Sequence, residues 1–296
     1  PGRLSPYFNN RLGLTTGTVS MAGPLAWSDK GIASEVVMSV ASFSTTFDDV
    51  AVVGVNAAIT FDQLLPPGTP PEQLISLAGI DLGLPLTQGL VSMRLDRNGL
   101  PLIENSRWQW AGGTVGASFS RGVGPDDEGE ERLVLEIDGV ELDNLLELTP
   151  QGTNIEATGT LYGRIPVVFR EGEFVIVGGW LESSFEGGHI RYGAGELAPG
   201  LMAGGEGVNL LLEALDNFRY SRLRLELNGL DEGETEMSFR IRGANPELYG
   251  GAEIELNMSI VGRLEQILRQ SYEAYYEVPE EIANKLARSG ARIADE

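Results

Sequence analysis

The sequence predicts a mainly β protein: an elongated, folded-over antiparallel sheet that forms a groove, with a few short helices and a helical carboxy-terminus. Three observations indicate the mainly β, antiparallel class. Apolar and polar residues alternate along many segments, as in antiparallel strands with one apolar and one solvated face. Glycine occupies 39 of 296 positions, which suits many strands joined by tight turns. Helical spacing of apolar residues is confined to a few short segments and to the end of the chain.

The clearest alternation occurs in five segments, at 91–95, 165–169, 223–227, 237–241 and 254–260. We predict that their apolar side chains line the groove, and methionine, which is flexible and polarizable, suits such a lining. The predicted lining residues are Val91, Met93, Leu95, Ile165, Val167, Phe169, Leu223, Leu225, Leu227, Met237, Phe239, Ile241, Ile254, Leu256, Met258 and Ile260. The same pattern is expected of the filled core of a β-sandwich or barrel, so the sequence leaves both an open and a filled interior possible.

Helices and domain limits follow from the remaining segments. Short helices are predicted at 71–75, 141–148 and 209–218, where apolar residues recur at helical spacing or proline opens a first turn. We predict a groove-forming β domain at 1–261 and a helical cap at 262–296, where the pattern becomes amphipathic.

A weak internal repeat divides the β domain. Its copies lie near 89–113, 163–188 and 229–251, and each ends in a pair of glycines. Repeated strand modules are typical of sheets that grow by addition of similar units.

Composition excludes several functional classes. The formal net charge of −22 argues against nucleic-acid binding and against electrostatic docking on an anionic membrane. The absence of cysteine excludes disulfides and thiolate chemistry. No run approaches the roughly 20 apolar residues that span a bilayer. Because Pro1 is not a natural start, we expect this chain to be a piece of a longer one.

Catalytic motifs are missing, so we predict no enzyme, no metal and no cofactor. His189 is the one histidine, which cannot form a typical zinc site without cysteine. The acidic run at 126–131 lacks the ligand spacing of calcium loops, and the glycines at 204–207 lack the Lys-Ser/Thr of a phosphate loop. An alternative is a carbohydrate-acting enzyme with two carboxylates, for which Trp108, Trp110 and Trp180 are the available stacking residues.

A set of ordered motifs resembles a known family over about residues 12–290. The main segments are 82–89 (LGLPLTQG), 108–113 (WQWAGG), 157–167 (ATGTLYGRIPV), 243–251 (GANPELYGG) and 262–264 (GRL). Together they resemble the carboxy-terminal region of YdbH-type proteins, which belong to the AsmA-like group with TamB and YhdP.

The resemblance implies a function and a location. It implies movement of phospholipid between the inner and outer membranes of a Gram-negative bacterium, along a hydrophobic β groove in the periplasm. It further implies an inner-membrane anchor outside this segment, and a small outer-membrane lipoprotein that binds the carboxy-terminal end by strand addition. The region also carries a "dicarboxylate transport" label, but a dianion site needs clustered Arg or Lys, and the sequence shows no such cluster.

Two main hypotheses follow. In the first, the apolar face is an open groove that shields acyl chains during transport. In the second, the face is a filled core, and the protein is a scaffold that recruits a partner at an exposed strand edge by β-augmentation.

Overall fold

The computed structural model confirms a mainly β, antiparallel fold. The structure describes residues 15–28, 31–47, 50–64, 67–81, 85–95, 99, 101–121, 131–147, 155–170, 173–193, 212–230 and 234–262. Within these ranges it contains 18 strands. The chain divides into two compact units: the first comprises the described residues up to Gln109 together with Ala117–Ser120, and the second comprises Trp110–Gly116 and the described residues from Arg121 onward.

The first unit is a succession of antiparallel pairs. Strands β1 and β2 both pair with β3, β3 pairs with β4, β4 with β5 and β6, β6 with β7, and β7 with β8. Their bounds are Thr16–Ala22 (β1), Leu25–Ser28 (β2), Gly31–Phe47 (β3), Val50–Leu64 (β4), Pro67–Gly68 (β5), Gln73–Asp81 (β6), Pro85–Leu95 (β7) and Pro101–Trp110 (β8). Strand β9 follows at Gly113–Arg121, and its residues are divided between the two units.

Cross-strand apolar pairs hold the first unit together. Val36 on β3 lies directly opposite Phe61 on β4, and both side chains are buried. Trp108 is also buried and covers Gly89, where an added Cβ would collide with its ring. Glycine is therefore required at position 89 so that the indole can lie flat on the neighbouring strand.

The predicted helix at 71–75 is wrong. The structure begins strand β6 at Gln73, and Ile75 pairs with both Ala57 and Val91 on the adjacent strands. Pairing with strands on both sides satisfies the backbone N–H and C=O groups of this short segment. This gain outweighs a weak local preference for helix.

The second unit contains nine strands and short helices among the described residues. Strand β10 pairs with β12, β12 with β13 and β14, β14 with β16, β11 with β15, β15 with β16, β16 with β17, and β17 with β18. Their bounds are Glu131–Glu141 (β10), Ile155–Ala157 (β11), Thr160–Arg170 (β12), Glu173–Ile176 (β13), Gly179–Ser183 (β14), Gly188–Tyr192 (β15), Phe218–Gly229 (β16), Thr235–Ala244 (β17) and Ile254–Gly262 (β18).

The helices of the second unit match two predictions. Helix α1 spans Leu142–Glu147, inside the predicted segment 141–148. Residues 212–215 form the described part of helix α2, inside the predicted segment 209–218. A one-turn 3-10 helix follows at Tyr249–Gly251. The predicted helical cap at 262–296 lies outside the described residues, apart from Gly262 at the end of β18.

These helices cover the main core of the second unit. Leu142, Leu145 and Leu146 of α1 and Leu215 of α2 pack against a buried cluster that lies on the sheet except for Ala214 of α2. The cluster consists of Ala157, Leu161, Ile190, Ala214, Phe218, Tyr220, Leu223 and Ile241. Short helices such as these are marginal alone, so burial of their apolar residues on the sheet is what stabilises them.

One buried amide fastens α2 to the sheet. The Asn245 side chain is only 3% exposed. Its Nδ2 donates hydrogen bonds to the carbonyl oxygens of Glu213 (2.9 Å) and Ala214 (3.2 Å), and its Oδ1 accepts one from the backbone N–H of Glu247 (2.9 Å). Asn245 thus satisfies the free carbonyls at the end of α2, which otherwise lack partners.

Replacing Asn245 by aspartate is expected to lower the free energy of unfolding by about 1–3 kcal/mol, because the carboxylate cannot donate to the two carbonyls of α2 and leaves them unsatisfied. Denaturant titration measures the change. Asn228→Asp is the matched control, since Asn228 is exposed on β16. An Asn245→Asp variant as stable as the control would contradict this role.

Candidate functional site

The candidate site is the apolar face of β16, β17 and β18. The register of these strands places predicted lining residues directly opposite one another in three apolar rows. The first row is Leu223, Ile241 and Leu256, the second is Leu225, Phe239 and Met258, and the third is Leu227, Met237 and Ile260. Successive residues of a strand point to opposite faces, so these nine side chains share one face of the sheet.

The second row continues beyond β16, whereas the third meets a glycine on β14. Leu225 lies opposite Leu181 on β14, which lies opposite Gly163 on β12. Gly163 in turn lies opposite Ile137 on β10. In the third row, Gly179 lies opposite Leu227. The sequence pattern did not single out Ile137 and Leu181, because their strands show less regular alternation.

Burial decreases along the third row toward β18. In the third row, Leu227 is 2% exposed, Met237 is half-buried, and Ile260 is 49% exposed. Among the described residues, β18 pairs with β17 alone. The third row is therefore covered near β16 and becomes accessible at the edge strand β18.

Helices fill the space over the first row. Leu223 and Ile241 belong to the buried cluster beneath α1 and α2, and Leu256 packs against it. This part of the face is ordinary protein core. The second row is less enclosed: Leu225, Phe239 and Met258 all remain half-buried, although Met258 also packs against the buried cluster.

The other predicted lining residues lie in several places. Ile165 and Val167 lie on β12 of the second unit, opposite Leu135 and Leu133, and Val167 is only 1% exposed. Ile254 on β18 packs against the buried cluster. The backbone of Phe169 belongs to β12, but its side chain lies outside the described part of the structure. Val91, Met93 and Leu95 lie on β7 in the first unit, where Val91 is buried and the other two are half-buried.

The opposite face carries a cluster of arginines, so the expectation that Arg or Lys do not cluster is wrong. Arg222 lies opposite Arg242, and Arg224 lies opposite Arg240. We call these four residues the arginine face. They are distant in sequence but adjacent across the β16–β17 pair, and single-strand alternation does not reveal a cross-strand register.

Glutamates of neighbouring strands pair with the arginine face. Glu182 contacts Arg222 at 3.3 Å and Arg224 at 3.5 Å, and Glu255 contacts Arg242 at 2.9 Å. The hydrogen bond from Arg242, followed by that from Asn257, holds the pKa of Glu255 below its usual value. Glu255 therefore remains ionised beside its arginine.

His189 and Tyr220 make structural contacts at the sheet end near α2. His189 Nε2 forms a hydrogen bond of 2.9 Å with Asn217 Oδ1. The Tyr220 hydroxyl donates to the Thr158 carbonyl at 2.7 Å, and burial raises the pKa of this tyrosine. An added Cβ at Gly159 would collide with the Tyr220 hydroxyl, so a glycine there permits this close approach.

The described ranges offer neither a metal site nor a membrane-spanning helix. In those ranges, no three His, Asp or Glu side chains are grouped as a metal site requires. The acidic run at 126–131 lies outside them, except for Glu131 at the start of β10. No helix in the same part of the chain has the length and apolarity needed to cross a bilayer.

Comparison with known proteins identifies the family. Residues 2–286 match the YdbH-like family, described as the intermembrane phospholipid transport protein YdbH. The chain belongs to this family. No curated protein and no solved structure gives a significant match.

The family assignment gives the general function. YdbH-like proteins are a lipid-transport family and not an enzyme family, with phospholipid as cargo and the cell envelope as the implied location. The predicted resemblance to YdbH-type proteins is confirmed. An apolar face of paired strands is chemically suited to such cargo, because it offers hydrocarbon contact and no reactive group.

Proposed function

We propose that this chain transports phospholipid between the inner and outer membranes of a Gram-negative bacterium by shielding acyl chains on its apolar rows. The observation that supports this best is the second row, where three large apolar side chains share one face and remain half-buried. A fully packed core would bury them. Acyl chains lying on this row would complete their packing.

The energetic gain from such shielding is large. Removal of each methylene from water contributes about 0.8 kcal/mol, so an acyl chain of about 16 carbons in bare water faces a penalty on the order of 12 kcal/mol. Contact with the second and third rows removes part of this penalty for each acyl chain. No specific headgroup contact is needed for this gain, which suits a conduit for several phospholipids.

Strand β18 is the proposed site of partner binding. It has nine residues, and in the described structure one of its edges has no paired strand. Its apolar residues continue the three rows, so an added strand with the same alternation would extend the apolar face by hydrogen bonds to the backbone. The proposed partner is a small outer-membrane lipoprotein, as the family resemblance implies, and the proposed anchor in the inner membrane lies outside this segment.

The scaffold hypothesis retains one supporting observation. The helices α1 and α2 fill the space over the first row with protein side chains. If the space over the second row is filled as well in the full-length protein, the chain acts as a β scaffold that recruits a partner at β18.

A photocrosslinking amino acid at Phe239 distinguishes these functions. It is expected to crosslink phospholipid in cells, because Phe239 lies in the second apolar row. The same amino acid at Ser238, an adjacent half-buried residue on the opposite face, is the matched control. Mass spectrometry of the crosslinked products measures the outcome. Lipid adducts at neither position, with protein adducts at both, would support the scaffold and exclude the groove.

A further inference from the structure

The face opposite the apolar rows carries two adjoining shallow depressions, of about 490 and 480 Å³. Both volumes lie within the usual range of small-molecule sites, about 300–1,000 Å³. The residues that line both depressions are Arg224, Glu226, Arg240 and Glu255. The other polar lining residues are Glu182, Arg222, Ser238, Arg242, Asn257 and Ser259. This surface therefore presents charged groups, hydroxyls and an amide side by side.

Two exposed aromatic residues lie beside these depressions. Trp180 on β14 lies directly opposite Glu226, and Tyr162 on β12 lies directly opposite Glu182. Trp180 is 37% exposed and Tyr162 is 41% exposed. The two aromatic residues occupy diagonal positions of the β12–β14 pair, so their side chains are within reach of each other. They add an apolar, accessible platform to a surface that is otherwise polar.

The register continues this surface across five strands. We call the residues that lie opposite one another from β12 to β18 the polar row. The polar row consists of Tyr162, Glu182, Arg224, Arg240 and Asn257. Neighbouring strands lie about 4.8 Å apart, so the polar row is about 19 Å long. A surface of this length suits a chain of several units better than a single small molecule.

The charges on this surface are balanced. Four carboxylates accompany the four residues of the arginine face: Glu182, Glu226, Glu253 and Glu255. Each guanidinium has five N–H donors, and each carboxylate has about four acceptor positions. The ion pairs therefore leave hydrogen-bonding capacity of both kinds without a net charge that would select a charged ligand.

A neutral ligand rich in hydroxyl groups matches such a surface. A sugar hydroxyl can donate to a carboxylate and accept from a guanidinium at the same time. The C–H groups on one side of a pyranose ring form an apolar surface that packs on the electron-rich face of an aromatic ring. Hydroxyl bonding and ring packing are both available where Trp180 adjoins Glu226.

From this combination, we propose that the polar row and Trp180 bind a neutral, extended glycan with equatorial linkages, of the cellulose or chitin type. Equatorial linkages give a flat, ribbon-like chain, which can lie along the shallow surface of paired strands. Axial linkages, as in maltohexaose, curve the chain away from a flat surface. The site lies on the face opposite the apolar rows, so it is independent of the proposed acyl-chain groove.

Trp180 is the main stacking residue of the proposed site. The guanidinium of Arg224 lies over its ring at 5.9 Å from the centroid, and Glu226 holds Arg224 at 2.9 Å. An indole restrained in this way loses little side-chain freedom when a ligand binds, which favours affinity. Trp108, which the sequence also offers for stacking on a sugar, is buried against Gly89 and cannot serve.

Titration of the full chain with cellohexaose and chitohexaose, followed by calorimetry and by tryptophan fluorescence, tests the proposal. Saturable binding of at least one of these hexamers is expected, and maltohexaose is expected to bind at least about tenfold more weakly. Trp180→Ala is expected to weaken binding of the equatorially linked hexamer about tenfold or more, because stacking is lost. Trp180→Phe keeps an aromatic ring, so it is expected to retain most of the binding but to lose the fluorescence change.

Tyr249→Ala is the matched control. Tyr249 is an exposed aromatic residue of the second unit, in the 3-10 helix between β17 and β18, and it lines neither depression. Its substitution is expected to leave binding unchanged. The proposal is overturned by equal weakening from Trp180→Ala and Tyr249→Ala, by maltohexaose binding as tight as that of the other hexamers, by a fluorescence change that survives Trp180→Phe, or by no saturable binding of cellohexaose or chitohexaose.

Discussion

Replacing Phe239 by glutamate is expected to remove bound phospholipid from the purified protein while leaving it folded. Phe239 is central in the second apolar row, between Leu225 and Met258. A carboxylate there must lie against acyl chains, and an uncompensated charge in apolar surroundings costs several kcal/mol. Such a penalty corresponds to a decrease in lipid occupancy of about a hundredfold or more. Native mass spectrometry measures the bound lipid.

The control for this experiment is one residue away. Ser238 is half-buried on the opposite face, where its hydroxyl forms a hydrogen bond of 2.9 Å with that of Ser259. Ser238→Glu adds the same charge to the same strand and is expected to retain lipid. Phe239→Leu, which keeps the row apolar, should retain it too. A folded Phe239→Glu variant with wild-type lipid content would exclude the groove at this row.

Replacing Phe218 by alanine is expected to lower the free energy of unfolding by about 3–5 kcal/mol, which is the usual cost of deleting a buried phenylalanine ring. Phe218 has no exposed surface and lies in the cluster beneath α1 and α2. The loss of stability is the sum of two costs, the lost free energy of transferring the ring out of water and the cost of the cavity left behind. Denaturant titration followed by circular dichroism measures the change.

Phe185 provides the matched control for that substitution. Its side chain is fully exposed, on the turn between β14 and β15. Phe185→Ala is expected to change the free energy of unfolding by less than about 0.5 kcal/mol. Equal effects of the two substitutions would show that the cluster beneath the helices does not stabilise the second unit.

Much of the apolar face was predictable because successive side chains of a strand point to opposite faces, so that every second residue lies on the same face. Leu223, Leu225 and Leu227 alternate with charged residues, and alternation alone assigns them to one face. The structure confirms the strands and the helix at 141–148. The segment at 71–75 was assigned wrongly, because its local signal for helix is weak and pairing with two neighbouring strands decides its conformation.

Other features depend on contacts that no local pattern encodes. Helices α1 and α2 lie over the first row. Asn245, which follows the end of β17, helps to hold α2 there, because its side-chain amide donates hydrogen bonds to backbone carbonyls of α2. The sequence therefore left open which part of the apolar face is filled. The structure shows a filled first row and a less enclosed second row.

The sequence by itself determined the antiparallel β class, the separation of apolar and polar faces, the acidity and the family of this protein. The first three follow from composition and from periodicities within single strands, which are local properties, and the family follows from the order and spacing of short motifs. Only the tertiary structure decided which strands are neighbours and in what register, because long-range pairing is set by the fit of the whole sheet. That register gathers four arginines on one face of β16 and β17 and aligns the apolar rows on the other.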